Sequence, residues 1–213
     1  MITMNEEQAV EGVIGDIRVV APEAEILIVD SSRDRTAEKA AALGIRVIKQ
    51  FPPRGYGPAM DLALRSAQGE VIVTLDCDGS YPAAMIPVLA RMVTEEGYDV
   101  VDGARLKGKP AAMPWPNYLA NAGFGLIASG LFWRWLPDLH SGMRAYRRSV
   151  IQELRYDPKG AALPVELLTR PIRQGRRVKV VPIDYRERIG KSTMRPVESA
   201  WWTAKRLLRA RFF

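Results

Sequence analysis

The amino-acid sequence predicts an α/β fold in which a mostly parallel sheet is covered by helices on both faces. Two observations support this prediction. Short apolar runs alternate with helical segments through the first hundred residues, as in strands joined by crossover helices. The runs are apolar at consecutive positions, which is typical of strands buried on both faces. A length of 213 residues fits one domain, residues 1–213.

The elements of the first half follow from apolar runs and from the residues that interrupt them. Strands are predicted at residues 25–30, 45–50, 70–75 and 98–103, and helices at residues 33–43, 58–67 and 82–96. Gly44 and Gly69 end the first two helices, and Pro82 starts the third, where proline is tolerated. Only Met1–Met4 precede Asn5-Glu6-Glu7, which is predicted to open an earlier helix. The first strand of the sheet is therefore expected to be truncated.

The second half is predicted to be less regular. Residues 104–116 are rich in Gly, Pro and Lys, which indicates a loop, while residues 162–174 predict a helix and residues 177–187 a strand. Residues 117–136 are apolar and small, and the tail 197–213 mixes Trp and Phe with basic residues. Each of these two segments is either a core-facing helix or an interfacial helix at a membrane surface.

Composition limits the possible functions. A single cysteine and a single histidine exclude an internal disulfide and a metal site built from Cys or His. No apolar run reaches the roughly 18 residues of a transmembrane helix, and no signal peptide is apparent at the N-terminus. The expected location is therefore cytoplasmic, with peripheral binding to the cytoplasmic membrane face as an alternative.

The net charge of +7 is unevenly distributed, because Lys and Arg are concentrated in residues 170–213. A nucleic acid, a phosphorylated small molecule or an anionic membrane would each match this charge, and so would an ordinary solvated surface. No nucleic-acid-binding motif accompanies it, so no nucleic-acid partner is expected. The oligomeric state is left open.

The strongest functional signal is Asp76-Cys77-Asp78-Gly79, which directly follows the apolar segment 71–75. Alternate side chains of an extended chain point the same way, so the two aspartates lie about 6–7 Å apart along the strand. Such a pair suits a divalent metal whose other ligands are water and phosphate oxygens; a solvated turn is the alternative. Asp30 ends another strand, and ligands of parallel sheets bind beyond these ends. We therefore expect Asp30, Asp76 and Asp78 to face one crevice.

Further motifs follow in a fixed order along the chain. They are Asn5-Glu6-Glu7, Asp30-Ser31-Ser32-Arg33-Asp34-Arg35-Thr36, Arg54-Gly55-Tyr56-Gly57-Pro58-Ala59, Asp76-Cys77-Asp78-Gly79-Ser80-Tyr81-Pro82, Gly103-Ala104-Arg105, Asp138-Leu139-His140-Ser141-Gly142-Met143-Arg144 and Arg188-Ile189-Gly190-Lys191-Ser192. This ordered set resembles the family 2 glycosyltransferases of the GT-A fold. The nearest likeness is to the branch that contains dolichol-phosphate mannosyltransferase and bacterial polyprenyl-phosphate glycosyltransferases.

The resemblance implies a role for each motif residue. Glu6 and Asp30 would line the nucleotide pocket, while Asp76 and Asp78 would hold Mg²⁺ or Mn²⁺ on the nucleotide diphosphate. Asp138 would lie near the sugar and the acceptor, and is expected to be catalytic together with Asp78 and Arg188. The residues expected to face the phosphates or the acceptor are Arg105, Arg144, Arg188, Lys191 and Ser192.

The implied reaction is an inverting transfer of a hexose from a nucleotide-sugar donor, of the GDP-mannose or UDP-glucose type, to a polyprenyl or dolichyl phosphate. A phosphate acceptor is already anionic, so positioning would matter more than a base. A hydroxyl acceptor would need a general base, for which Asp138 is the best candidate. A non-catalytic nucleotide-sugar-binding module is the remaining alternative.

Overall fold

The computed structural model describes residues 1–190 and 195–212, and its strands form two sheets. The strands in chain order are β1 (Ile2–Thr3), β2 (Leu27–Asp30), β3 (Arg46–Lys49), β4 (Val71–Thr74), β5 (Val100–Ala104), β6 (Arg144–Arg147) and β7 (Val178–Pro182). One sheet has the order β1-β2-β3 and is parallel throughout. The other has the order β4-β6-β5-β7, in which β6 runs antiparallel to both neighbours and β5 pairs in parallel with β7.

Helices connect these strands. They are α1 (Val10–Val20), α2 (Thr36–Ala42), α3 (Tyr56–Ser66), α4 (Met85–Thr94), α5 (Trp115–Phe132), α6 (Arg148–Glu153), α7 (Leu163–Arg173) and α8 (Pro196–Phe212). Consecutive residues of β5 lie in different apolar cores, Val100 with α3, α5, α7 and α8, and Val101 with α1 and α4. Because successive strand side chains point to opposite faces, this division confirms helical cover on both faces of the sheet.

The first strand is short, and the first helix begins later than predicted. β1 is two residues long and pairs in parallel with Val29 and Asp30, and the Met1 amine donates a hydrogen bond to the carbonyl oxygen of Leu27 at 2.7 Å. The prediction that Asn5-Glu6-Glu7 opens a helix is wrong, because α1 begins at Val10 and these three residues lie in the β1–α1 loop. The loop position brings Glu6 to the strand ends.

Two elements, β6 and α6, were not predicted from the sequence. β6 reads Arg144-Ala145-Tyr146-Arg147 and has no apolar run, yet Arg144 and Tyr146 are buried. Its polar side chains are tolerated in the interior because they find buried partners, which a sequence pattern does not reveal.

The helix α8 has one buried and one exposed side. Thr203, Arg206, Leu207 and Ala210 pack inward, mainly against α7 and α5. The apolar side chains of Val197, Trp201, Leu208 and Phe212 are exposed. None of the helices in the described ranges is both long and apolar enough to cross a membrane.

Candidate active site

Asp78 is held in a tight turn just beyond β4. Its Oδ1 accepts hydrogen bonds from the Ser80 amide at 3.0 Å and from Ser80 Oγ at 2.5 Å. Gly79 has φ of 75°, a left-handed conformation that favours glycine. Asp78 Oδ2 is left facing Arg188, whose Nη2 lies 3.5 Å away.

Asp76 lies directly against the backbone of Gly142. A Cβ atom added at Gly142 would stand 2.6 Å from Asp76 Oδ2, so a side chain there would displace the carboxylate. The backbone of Gly142 is fixed, because its amide donates to Tyr81 Oη at 2.7 Å and its carbonyl accepts from Thr74 Oγ1 at 2.8 Å. The glycine of the Asp138–Arg144 motif therefore makes room for the first aspartate of the Asp76–Asp78 pair.

Three carboxylates gather around one arginine in this crevice. Arg188 Nη2 lies 3.5 Å from both Glu6 Oε1 and Asp78 Oδ2. Burial, together with the negative charge of Asp78, raises the pKa of Asp76 to about 6. Burial also raises the pKa of Glu6 to about 7, against the opposing effect of Arg188. The local excess of negative charge favours a cation at this position.

The oxygen-only donor set fits a hard divalent cation. Within residues 1–190 and 195–212, no cluster of three or more acidic, His or Cys side chains is arranged to enclose a metal ion. A cation held by Asp76 and Asp78 would therefore take its other ligands from water or from a bound diphosphate. This is the usual arrangement for Mg²⁺ in phosphate-transfer sites.

Arg188 is positioned by backbone pairing between its own segment and the Asp78 turn. The Ile189 amide donates to the Asp78 carbonyl oxygen at 2.8 Å, and the Arg186 amide to the Ser80 carbonyl oxygen at 3.0 Å. Arg188 Nε is buried and finds no hydrogen-bond acceptor among the described residues. This donor is available for an anionic ligand. Lys191 and Ser192, expected beside it, lie outside the described residues.

Asp30 ends β2 and is fully engaged by the protein. Its carboxylate accepts hydrogen bonds from Lys49 Nζ at 2.6 Å, Thr3 Oγ1 at 2.7 Å and Ser32 Oγ at 2.5 Å. Burial opposes ionisation, but these bonds outweigh it and lower the pKa of Asp30. Sequence reasoning missed Lys49, although two parallel strands that end at the same level place Asp30 and Lys49 side by side.

A cleft of about 340 Å³ lies beside the β1–α1 loop, and Glu6, Asp34 and Gly190 are among the residues that line it. The Asp34 carboxylate accepts from the Glu7 amide at 3.2 Å and from Thr36 Oγ1 at 2.5 Å. Asp30 does not line this cleft. Asp34, which belongs to the Asp30–Thr36 motif but was given no role from the sequence, is therefore a further candidate for the nucleotide pocket.

Asp138 forms a bidentate ion pair with Arg105. Its Oδ2 accepts from Arg105 Nε at 2.7 Å and from the Arg105 amide at 3.0 Å, and its Oδ1 from Arg105 Nη2 at 3.0 Å. Burial alone would raise the pKa of Asp138, but Arg105 outweighs it and lowers this pKa to about 2. The guanidinium of Arg105 also lies 5.2 Å from the ring centre of Tyr185. Asp138 is thus ionised at neutral pH and is a weak base.

Arg144, expected to face the phosphates or the acceptor, lies in the interior of the protein. It is fully buried, and its guanidinium donates to Asp102 Oδ1 and to the carbonyl oxygens of Pro164 and Leu139. Each of its three nitrogens therefore has an acceptor inside the protein. Arg144 thus joins β5, β6 and the start of α7. Its expected contact with the phosphates or the acceptor stays a prediction.

The structure thus brings Glu6, Asp76, Asp78 and Arg188 together. Arg105 is close enough to lower the pKa of Asp76 electrostatically, and Asp138 is hydrogen-bonded to Arg105. The roles implied for these residues remain predictions.

The chain is similar to known proteins in family, sequence and fold. A model of the family described as "Glycosyl transferase family 2" matches residues 1–155. A dolichyl-phosphate hexose transferase of Haloferax volcanii is 41% identical over 197 residues, which cover 92% of this chain and 85% of that protein. An undecaprenyl-phosphate mannosyltransferase of Micrococcus luteus is 30% identical over 210 residues, covering 90% and 84% respectively.

Solved structures show the same fold. A glucosyl-3-phosphoglycerate synthase from Mycobacterium tuberculosis, in complex with Mn²⁺, uridine diphosphate and phosphoglyceric acid, superimposes with a TM-score of 0.79. The superposition covers 100% of this chain and 77% of that one at 21% identity, so the likeness concerns the fold alone. Together with the family match, it confirms the predicted GT-A fold. Asp30, Asp76, Asp78, Arg105 and Asp138 lie inside the family-matched segment, whereas Arg188 and α8 follow it.

Proposed function

Because this chain belongs to glycosyl transferase family 2, we propose that it transfers a hexose from a nucleotide-sugar to a polyprenyl or dolichyl phosphate. The observation that carries the proposal is the crevice in which Asp76 and Asp78 face Arg188. Two relatives that cover most of the chain, named a dolichyl-phosphate hexose transferase and an undecaprenyl-phosphate mannosyltransferase, support this choice of acceptor.

Asp76 and Asp78 would hold Mg²⁺ or Mn²⁺ at the diphosphate of the donor. When bound there, the cation would offset the negative charge that develops on the departing nucleoside diphosphate. Arg188 has a buried Nε without an acceptor among the described residues and would donate to the same phosphates. Glu6 lines the adjacent cleft and would border the nucleotide.

A phosphate acceptor accounts for the properties of Asp138. The phosphate oxygen is already ionised, so the reaction needs alignment rather than proton removal. Asp138, whose pKa is about 2 and whose oxygens are bonded to Arg105, would orient that arginine toward the anionic reactants. Attack opposite the leaving diphosphate would invert the anomeric carbon. A hydroxyl acceptor, the second candidate, would require a stronger base.

A donor and acceptor screen tests the proposal. GDP-mannose and UDP-glucose are incubated with Mg²⁺ or Mn²⁺ and a short polyprenyl phosphate, and the products are identified by mass. The matched control is the corresponding polyprenyl alcohol, which lacks the phosphate. Transfer to the phosphate alone is expected. Transfer to the alcohol instead would favour the hydroxyl-acceptor reaction, and nucleotide binding without transfer to either would favour a binding module. Neither binding nor transfer with any donor would refute the proposal.

We further propose that the protein binds peripherally to an anionic membrane surface through α5 and α8. The exposed apolar side chains Trp201, Leu208 and Phe212 recur at spacings of seven and four residues and so share one side of α8. Lys205 and Arg211 flank them with positive charge. α5, which contacts α8, exposes Trp115, Leu119 and Leu126 at similar spacing. Aromatic and basic side chains together are typical of interfacial helices.

Co-sedimentation with vesicles tests the membrane proposal. The wild-type protein should bind vesicles that contain anionic lipid more strongly than purely zwitterionic ones, and less strongly as salt increases. Trp201→Glu combined with Leu208→Glu should release the protein. Val19→Glu is the control for an added negative charge, because Val19 is also an exposed apolar residue but lies on α1. Equal binding of the double variant and the wild type would exclude α8 as the contact.

A further inference from the structure

His140 connects the C-terminal helix to the Asp138 loop. Thr203 Oγ1 on α8 donates to the carbonyl oxygen of Ser199 at 2.8 Å and lies 2.7 Å from His140 Nε2. Since the hydroxyl proton is used for Ser199, Thr203 Oγ1 is left to accept from Nε2–H. The imidazole also packs edge-to-face on Phe124 of α5, with ring centres 6.2 Å apart. One side chain thus contacts both helices that expose apolar stripes.

The contact continues from His140 to the crevice. The His140 backbone amide donates to Asp138 Oδ1 at 3.0 Å, and the same carboxylate holds Arg105 through Nε at 2.7 Å and Nη2 at 3.0 Å. The connection from α8 to the guanidinium of Arg105 therefore runs through Thr203, His140 and Asp138. Both ion-pair partners are largely withdrawn from solvent, so a shift of the loop would move Arg105 with it.

The hydrogen bonding of His140 favours a specific role over one of packing alone. Its Nδ1 is buried and finds no hydrogen-bond partner among the described residues. An unsatisfied buried nitrogen is unfavourable, so an apolar side chain would suit a purely packing role at least as well. What the histidine adds is the bond from Nε2 to α8.

We propose that His140 is a positioning residue that couples the placement of α8 to the orientation of Arg105. The inference deepens the proposed function and rests on it, because Arg105 would then contact the phosphate of the lipid acceptor. When α8 binds to the membrane that carries this lipid, any shift of the helix would change the orientation of Arg105 through the Thr203–His140 bond. Donor binding, which involves Asp78 and Arg188, would not depend on that bond.

The matched variants are Thr203→Val, which keeps the shape but removes the acceptor oxygen, and Thr203→Ser, which keeps the hydroxyl. With Thr203→Val, kcat/KM for the polyprenyl phosphate should fall about three- to tenfold, the effect of one lost hydrogen bond, and the Kd of the nucleotide with Mg²⁺ should stay unchanged. Thr203→Ser should leave both at the wild-type value. His140→Phe should reproduce Thr203→Val, and the double variant should lose no more than either single variant.

Nuclear magnetic resonance gives a second measurement that needs no turnover. The chain has one histidine, so ¹⁵N-labelled histidine gives a single pair of ring signals, expected to show the Nε2–H tautomer. Thr203→Val should shift the Arg105 Nε–H signal, whereas Thr203→Ser should not. An unshifted Arg105 signal in Thr203→Val, or a loss of nucleotide affinity equal to the loss of transfer, would overturn the coupling. If the wild type transfers no hexose, the proposed function fails, while the Arg105 signal still decides this inference.

Discussion

Gly142→Ala should damage the crevice while leaving the fold intact. The new Cβ would stand 2.6 Å from Asp76 Oδ2, whereas ordinary contact begins at 3.4 Å, so one of them must move by about 0.8 Å. The backbone of Gly142 is held by Tyr81 and Thr74, and the carboxylate is the free end of a side chain. Asp76 should therefore move. The φ angle of Gly142 is not positive, so alanine adds no backbone strain.

The expected effect is large on transfer and small on stability. A misplacement of about 1 Å in a reacting site can cost on the order of 100-fold in rate, so kcat/KM should fall about 30- to 100-fold. The free energy of unfolding should change by less than about 1 kcal/mol, because only the side-chain tip is displaced. Initial rates of transfer, calorimetric titration of nucleotide with Mg²⁺ or Mn²⁺, and urea unfolding measure these quantities.

Gly15→Ala is the matched control for this variant. Gly15 is exposed on α1, and a Cβ there meets no atom within 4 Å. Its activity should be unchanged, and its stability should rise by about 0.5–1 kcal/mol, because alanine favours a helix over glycine. If Gly142→Ala binds metal and nucleotide as tightly as the wild type, the Asp76 carboxylate is not a ligand of that complex and the reasoning fails.

Three further predictions concern buried charges. Because the pKa of Asp76 is raised to about 6, protons compete with the cation, so the calorimetric affinity for Mg²⁺ should fall as pH decreases below 6; a flat profile would contradict this. Lys49→Met should raise the pKa of Asp30, which is lowered in the wild type. In the wild type this carboxylate adds stability above its unfolded pKa and loses it as pH falls, and in the variant most of that pH-dependent stability should disappear. If the pH dependence of urea unfolding between pH 3 and 5 is the same in both proteins, the prediction is wrong. Glu166→Gln should destabilise the protein by about 3–5 kcal/mol in urea unfolding, because the buried carboxylate bonds both Arg170 and Arg206; a change below about 1 kcal/mol would show that the pair contributes little.

The strand-end carboxylates were predictable because their position depends only on local pattern and topology. An apolar run followed by Asp76-Cys77-Asp78 predicts a buried strand, which is β4, and the apolar run before Asp30 predicts β2. These two strands lie in different sheets, and a crevice shared by all three aspartates stays a prediction. Lys49 could have been found in the same way, since it closes the strand next to Asp30. Glu6 lies beside Arg188 in the crevice, although the helix expected to begin there starts later.

The partners of the other charged groups could not be predicted, because they depend on contacts between distant segments. His140 and Thr203 are 63 residues apart, and Arg206 and Glu166 are 40 apart. The motif containing Arg144 is as recognisable as the one containing Arg188, yet the first is buried against Asp102 and the second faces the crevice. Sequence spacing contains no information about which acceptors the fold brings to each guanidinium.

The distribution of arginine donors therefore says more about function than the net charge of +7. The guanidinium of Arg206 donates hydrogen bonds to the Glu166 carboxylate and to the carbonyl oxygens of Asp157, Lys159 and Ala161. These bonds hold α8 against the segment before α7.

Each of the three guanidinium nitrogens of Arg144 likewise has an acceptor inside the protein. Among the described residues, Arg188 is the arginine whose buried nitrogen lacks an acceptor. An unmet donor beside two carboxylates suits a ligand that accepts hydrogen bonds and carries a cation, and a metal-bound diphosphate would meet both conditions.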